Sequence, residues 1–405
     1  MKILLSAYAC EPNHGSEPGV GWNWAIELAR LGYDVWVLTR ESNRKSIEAV
    51  VRSNELLQEI KFLYYDLPKW FSWWKKGSRG IRLYYFFWQV GAYHLAKNIH
   101  SVEKFEIVHH VTFVSVRQPS FMGNLGIPFI FGPVGGGEKA PWTLRFSYGI
   151  RGMFFDGIRD LVNWLVKLDP FMWHTFRNAK TIYVTSEQTR NLIPKKFRKK
   201  SHVQLAIGWE GVTLDYEKSS KKNKCLQILY VGRFLYWKGI SLGLEAFAAL
   251  LKQVPEARLT LVGQGPDKKR LKQYAVNIGL VDKIEWIPWM SQDELVDMYQ
   301  QSDVFLFPSL HDSGGMVVLE AMSHGLPVVC FNLGGPGVTV DDSCGVVVDV
   351  TGHSERQVIE KLCEALLSIA KHPDYRVVLS NGALKKVVSL NWKNVVKSIY
   401  SINKI

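Results

Sequence analysis

Three stretches of the chain combine residue types and spacings suited to holding an anion or a sugar. Tyr230-Val231-Gly232-Arg233 closes an apolar run and Trp237-Lys238-Gly239 follows, so an Arg and a Lys five positions apart share one loop. Two cations there suit a diphosphate, whose charge grows when it departs as a leaving group. Farther on, Pro308-Ser309-Leu310-His311-Asp312-Ser313-Gly314-Gly315-Met316-Val317 runs from an apolar strand through a Gly-Gly turn into a helix carrying Glu320. The backbone N–H groups of that helix start suit phosphate or sugar oxygens. Asp312 and Glu320, eight positions apart, suit the hydroxyls of a sugar and of a ribose. The third stretch is Glu11–Trp22, where Gly15, Gly19 and Gly21 let a loop after the first strand approach a ligand closely. Glu138, His109 and His110 complete the candidates for acid–base work. Adjacent residues of a strand point to opposite faces, so at most one of the two His faces a ligand. A Gly-x-Ser-x-Gly elbow and a His-Glu-x-x-His motif are both missing, which disfavours triad and zinc hydrolases.

Loops of this kind need alternating strands and helices behind them. In the first half, Lys2–Ala9, Asp34–Thr39, Ile60–Asp66, Ile107–Thr112, Pro128–Gly132, Thr181–Ser186 and Val203–Ile207 read as strands. Helical patterns between them include Trp22–Leu31, Arg79–His100 and Arg159–Phe176. A second series starts after the charged stretch Glu217–Lys224. Its strands are Leu226–Gly232, Arg258–Gly263, Lys283–Ile287, Val304–Pro308, Leu326–Phe331 and Gly345–Asp349. Continuous apolar runs signal strands covered on both faces, as in parallel sheets. The pattern predicts an α/β protein of two doubly wound, Rossmann-like domains, residues 1–215 and 216–391, facing a central cleft.

A composition of 47% apolar and 21% charged residues excludes a mainly disordered chain. The five cysteines, an odd number without short paired spacing, argue against a disulfide framework and for a reducing compartment, hence a cytoplasmic protein. Ile3–Cys10 runs straight into Glu11-Pro12-Asn13 and reads as a strand rather than a signal peptide. Leu83–Ala96 is too short and too interrupted to span a bilayer. The net charge of +13 points to an anionic partner, and it is uneven. Up to Asp215 the chain has 28 Lys+Arg against 18 Asp+Glu and 11 of the 15 Trp; beyond it, 22 against 19. Aromatics and cations interleave in Trp70–Lys76 and Arg79–Trp88, and Lys195–Lys200 adds five charges. That mixture suits an anionic headgroup interface, so peripheral attachment at the inner face of a membrane is expected. Nucleic acid is not, since no recognition module is present.

The glycine-rich first loop, the Gly-Arg…Lys-Gly pair, Val262-Gly263-Gln264-Gly265-Pro266 and the Pro-Ser…Glu-Ala-Met…Gly-Leu-Pro-Val-Val block together resemble the family 4 glycosyltransferases of the GT-B fold. The resemblance covers nearly the whole chain. It implies a retaining, metal-independent hexosyltransferase that moves a sugar from a nucleotide-sugar donor, a UDP-sugar first of all. The acceptor would be a saccharide or a lipid-diphosphate-linked saccharide, in surface or exported polysaccharide synthesis. The first domain would bind acceptor and the second donor, and a last helix near Trp392–Ile405 would cross back to the first. Arg233 and Lys238 would hold the diphosphate, Glu320 the ribose, and Gly19 and Gly21 would face the phosphates. Gly263, Asp312, Gly314, Gly315, Met316 and Val317 would complete the donor site, without cofactor or metal. Two departures stand out: Asp312 replaces the first Glu of the family's Glu-x(7)-Glu, and Gly132–Glu138 lacks the family's catalytic His. Glu138, His109 and His110 therefore stay open as substitutes. A sugar-nucleotide epimerase or hydrolase, or a non-catalytic sugar-nucleotide-binding scaffold at a membrane, are the rival readings.

Overall fold

Short apolar runs become strands of two parallel sheets in the computed structural model, which describes residues 1–77, 79–113, 115–210 and 225–402. The first sheet comprises β1 (Lys2–Ser6), β2 (Asp34–Arg40), β3 (Lys61–Tyr65), β4 (Ile107–His110), β5 (Phe129–Val134), β6 (Thr181–Val184) and β7 (Ser201–Val203), in the order β3-β2-β1-β4-β5-β6-β7. The second comprises β8 (Gln227–Val231), β9 (Arg258–Val262), β10 (Ile284–Ile287), β11 (Val304–Phe307), β12 (Val328–Phe331) and β13 (Gly345–Val348), in the order β10-β9-β8-β11-β12-β13. Every pairing is parallel. Strands β4, β5, β11 and β12 are buried along their whole length, which accounts for their unbroken apolar sequence. The architecture is two Rossmann-like parallel α/β sheets.

The chain divides into two compact units that are not consecutive in sequence. The first holds Met1–Gly137, Leu161–Ile207 and Trp392–Ile405; the second holds Glu138–Asp160 and Gly208–Asn391. The expected boundary at 215/216 and the linker Glu217–Lys224 lie outside the described residues. The expectation that residues 1–215 form one domain is corrected at Glu138–Asp160. That segment joins the second unit, to which Glu138 is tied through Ser313, Asp156 through His311, Thr143 through the His353 carbonyl and the Ser147 carbonyl through Arg270. In the first unit, the C-terminal helix Trp392–Ile402 packs on the Ser16–Arg30 helix and buries Trp392, Val395, Val396, Ile399 and Tyr400.

Two helices differ from the sequence pattern. The expected helix Arg159–Phe176 is two helices, Gly149–Leu165 and Pro170–Asn178. The break is chemical: Asp169 caps the second helix by accepting from the N–H groups of Phe171 and Met172, and Pro170 suits only a first turn. The helix after β1 begins at Ser16, not Trp22, so Gly19 and Gly21 are helical rather than in a loop.

Candidate active site

In an open parallel sheet, ligands bind beyond the carboxyl ends of the strands where the order reverses. In the second sheet that point lies between β8 and β11. The loop after β8 carries Arg233 and Lys238, and the loop after β11 carries Asp312 to Gly315. Glycines draw these loops together. Gly239 has φ +63, and a Cβ there would collide with the carbonyl oxygen of Pro308. Gly263, at the end of β9, packs in the same way against the carbonyl of Gly232.

The polar groups at this edge are joined. The Lys238 ammonium pairs with Asp312 Oδ2 and lies 4.9 Å from the centre of the Phe307 ring. Asp312 Oδ1 accepts from the Gly315 N–H at 3.1 Å, and its carbonyl accepts from the Gly335 N–H at 2.7 Å. One aspartate thus links the two loops and the start of the Met316–Ser323 helix. Gly314, Gly315, Met316 and Val317 form that helix start, whose first N–H groups have no intrahelical partner. Arg233 is exposed and makes no ion pair with a described residue. Glu320, half-buried one turn on, accepts from Gln292 Nε2 at 2.9 Å. Burial raises its pKa, and the Gln292 bond works against that rise.

Glu138 sits in the second unit, beside this same loop. It is buried, accepts from Ser313 Oγ at 2.8 Å, and has Arg159 at 3.8 Å. Its backbone carbonyl lies 3.0 Å from His311 Nδ1, and His311 Nε2 lies 2.9 Å from Asp156 Oδ1. A carbonyl only accepts, so Nδ1 carries the proton in that bond. Burial pulls the His311 pKa down, while the Asp156 carboxylate pulls it up. Burial would raise Asp156, but the bond from His311 and the charges of His311, Arg145 and Arg159 hold it below its ordinary value. Arg145, buried, reaches Asp156 at 3.4 Å and Asp160 at 2.7 Å. Sequence reasoning missed His311, Asp156 and Arg145. The available signal was a charged Asp156 within the apolar stretch Met153–Ile158.

The first unit removes two candidates. His109 is fully buried on β4, with Nδ1 2.9 Å from Tyr400 Oη and Nε2 2.6 Å from the Gly132 carbonyl. Both ring nitrogens are engaged and burial pushes its pKa down to about 4, so His109 is a core residue rather than a catalytic one. His110 is also buried, 3.3 Å from Tyr85 Oη, with its pKa pushed down to about 3. At most one of the pair was expected to face a ligand, and neither does, because all four β4 residues are covered. Gly19 and Gly21 are corrected in a different sense. A Cβ at either would collide with the carbonyl of His14 or Ala9, so these glycines let the preceding loop fold onto the helix.

Among the described residues, no group of three His, Cys, Asp or Glu is arranged to hold a metal ion. Asp341 of the Asp341-Asp342 pair is held by Lys386 at 2.6 Å and by Ser343.

Residues 213–385 match the family model described as Glycosyl transferases group 1. The chain is 32% identical over 184 residues to a D-inositol 3-phosphate glycosyltransferase of Saccharomonospora viridis, a stretch that is 43% of this chain and 42% of that protein. The chain thus spans less than half the length of the curated relatives it matches. Two solved structures extend the likeness of fold over the whole chain. Sucrose-phosphate synthase of Thermosynechococcus elongatus superposes with a TM-score of 0.63 at 17% identity, covering 100% of this chain and 98% of that one. HepE of Anabaena, solved with UDP-glucose, gives 0.55 at 13% identity, covering 100% and 99%. The fold is that of the GT-B glycosyltransferases.

Proposed function

We propose that this protein is a retaining glycosyltransferase that takes a sugar from a nucleotide-sugar, UDP-linked in the first instance, to a saccharide or lipid-linked saccharide acceptor. The observation that carries the reading is the joining of Lys238, Asp312 and the Gly315 helix start at the β8/β11 switch, with Glu320 one turn further on. The matched family segment covers this edge, and the UDP-glucose complex of HepE supports the choice of donor. In this reading the donor diphosphate takes Arg233, Lys238 and the N–H groups of Gly314 to Val317. Asp312, released from Lys238, accepts from sugar hydroxyls, and Glu320 accepts from the ribose. Gly263 keeps the backbone beside the nucleotide low. Glu138 is a positioning residue, holding Ser313 and so the loop that carries Asp312. Arg233 and Lys238 offset the charge on the departing diphosphate, so the reaction proceeds without a metal ion or cofactor. Polysaccharide synthesis at the inner face of a membrane, with attachment through Trp70–Lys76 and Lys195–Lys200, completes the proposal.

A melting panel with UDP, GDP, ADP and their sugar conjugates tests the donor. A bound donor at a hundred times its dissociation constant adds about 2.7 kcal/mol. Nucleotide release that requires acceptor and persists in EDTA is the expected outcome. Release of free sugar without acceptor identifies a hydrolase, and turnover abolished by EDTA and restored by magnesium sinks the metal-free reading.

A further inference from the structure

The Gly149–Leu165 helix turns its apolar face outward. Ile150, Phe154 and Ile158 follow at spacings of four, so they line one stripe. These three are between 44% and 89% exposed, and Phe155 beside them is 47% exposed. The opposite face carries Gly152 and Asp156, both buried. An ordinary surface helix is arranged the other way. Rotation cannot hide the stripe, because Asp156 is held by Arg145 and His311.

The charges beside the stripe are of one sign. Arg151 is exposed among these residues, 5.7 Å from the Phe155 ring. Both carboxylates of the helix are taken up elsewhere, Asp156 inward and Asp160 by Arg145 and Lys139. Trp142, just before the helix, is more than half exposed. At 1.5 Å per residue the helix is only about 25 Å long, and no helix among the described residues is long and apolar enough to cross a membrane.

We propose that this face is a docking surface for an anionic lipid bilayer, with the helix lying in the interface plane. Its apolar stripe enters the headgroup–acyl boundary and Arg151 meets the lipid phosphates. The surface includes neither Trp70–Lys76 nor Lys195–Lys200, and it does not depend on the transferase reading.

Flotation with vesicles tests it, using phosphatidylcholine alone and phosphatidylcholine mixed equally with phosphatidylglycerol. Wild type floats with the mixed vesicles and much less with the neutral ones. The triple variant Ile150→Ser, Phe154→Ser, Ile158→Ser lowers partition by at least about tenfold, since one fully inserted side chain alone is worth about that factor. Ile150→Ser by itself, at the most exposed position of the stripe, lowers partition with an unchanged melting temperature, which excludes misfolding as the cause. Arg151→Gln lowers it by about fivefold at low salt only. Equal flotation of wild type and the triple variant overturns the proposal, as does equal binding of wild type to both vesicle types. A wild-type dimer that the triple variant dissociates, with no vesicle binding, assigns the stripe to a second copy instead.

Discussion

Lys238 is already paired with Asp312, so a ligand that takes the lysine must also free the carboxylate for new partners. Exchange within such a triad keeps both charges compensated, where breaking a partly buried pair outright is costly. Among the described residues Glu320 pairs with no cation; it accepts from the Gln292 amide, and its other lone pairs suit a hydroxyl. Glu320→Gln keeps size and removes the charge-assisted bond, worth about 1.5–3 kcal/mol. Nucleotide affinity, read by calorimetry, is expected to fall roughly ten- to hundredfold while the melting temperature holds. Unchanged affinity in the folded variant removes Glu320 from the ribose. His109 makes a different demand, on stability. Its pKa is pushed down to about 4 from 6.5, so the unfolded chain binds the extra proton first. Stability is therefore full above pH 6.5 and falls as pH drops toward 4, by at most about 3 kcal/mol for this residue. Urea melts across that window should show His109→Gln with a flatter acid limb than wild type, and an equal slope in both refutes the burial argument. The placement of Arg233, Lys238 and Asp312 was legible in sequence because they lie on short loops at strand ends, and that of Glu320 because a Gly-Gly turn marks the start of its helix. His109 was misread because what satisfies it, Tyr400 and the Gly132 carbonyl, is distant in the chain.

The elements that hold the site do so by close backbone approach, which only glycine permits. Gly239 combines φ +63 with contact against Pro308, so an added Cβ is both strained and obstructed. Gly239→Ala should displace the loop that carries Lys238, lowering stability by about 1–3 kcal/mol. Nucleotide affinity falls with it, and a variant with wild-type melting and affinity shows that the two loops do not need this contact. The strands were legible as uninterrupted apolar runs, and both parallel sheets followed from their alternation with helices. Helix ends were less legible. Gly15 caps the Ser16–Arg30 helix without a side-chain bond, so no capping residue marked its start and Gly19 and Gly21 read as loop. The Gly149–Leu165 helix was obscured by its reversed polarity: Asp156 and Asn163 face inward, so the usual rule for choosing the buried side gives the wrong face.

The two units are interleaved along the chain, which passes between them after Gly137, Asp160, Ile207 and Asn391. A fragment cut at the apparent midpoint therefore lacks parts of its own core. The second unit without Glu138–Asp160 loses Glu138 from Ser313 and Asp156 from His311, two contacts that brace the loop carrying Asp312. The first unit without its last helix loses more. Trp392, Val395, Val396, Ile399 and Tyr400 are each at most 5% exposed. At about 1.5–3 kcal/mol for each large buried side chain, their removal costs roughly 7–15 kcal/mol. A whole domain is commonly stable by only about 5–15 kcal/mol, so the loss matches the total. Truncation after Asn391 also takes Tyr400 from His109 and leaves a buried imidazole nitrogen unpaired, adding to the deficit. The truncated chain is expected to lose the near-UV circular dichroism and amide protection of residues 1–137, while the second unit, to which that helix does not belong, keeps protected amides in β8 to β13. Native protection of β1 and β4 in the truncated protein would show that the first sheet stands without the helix.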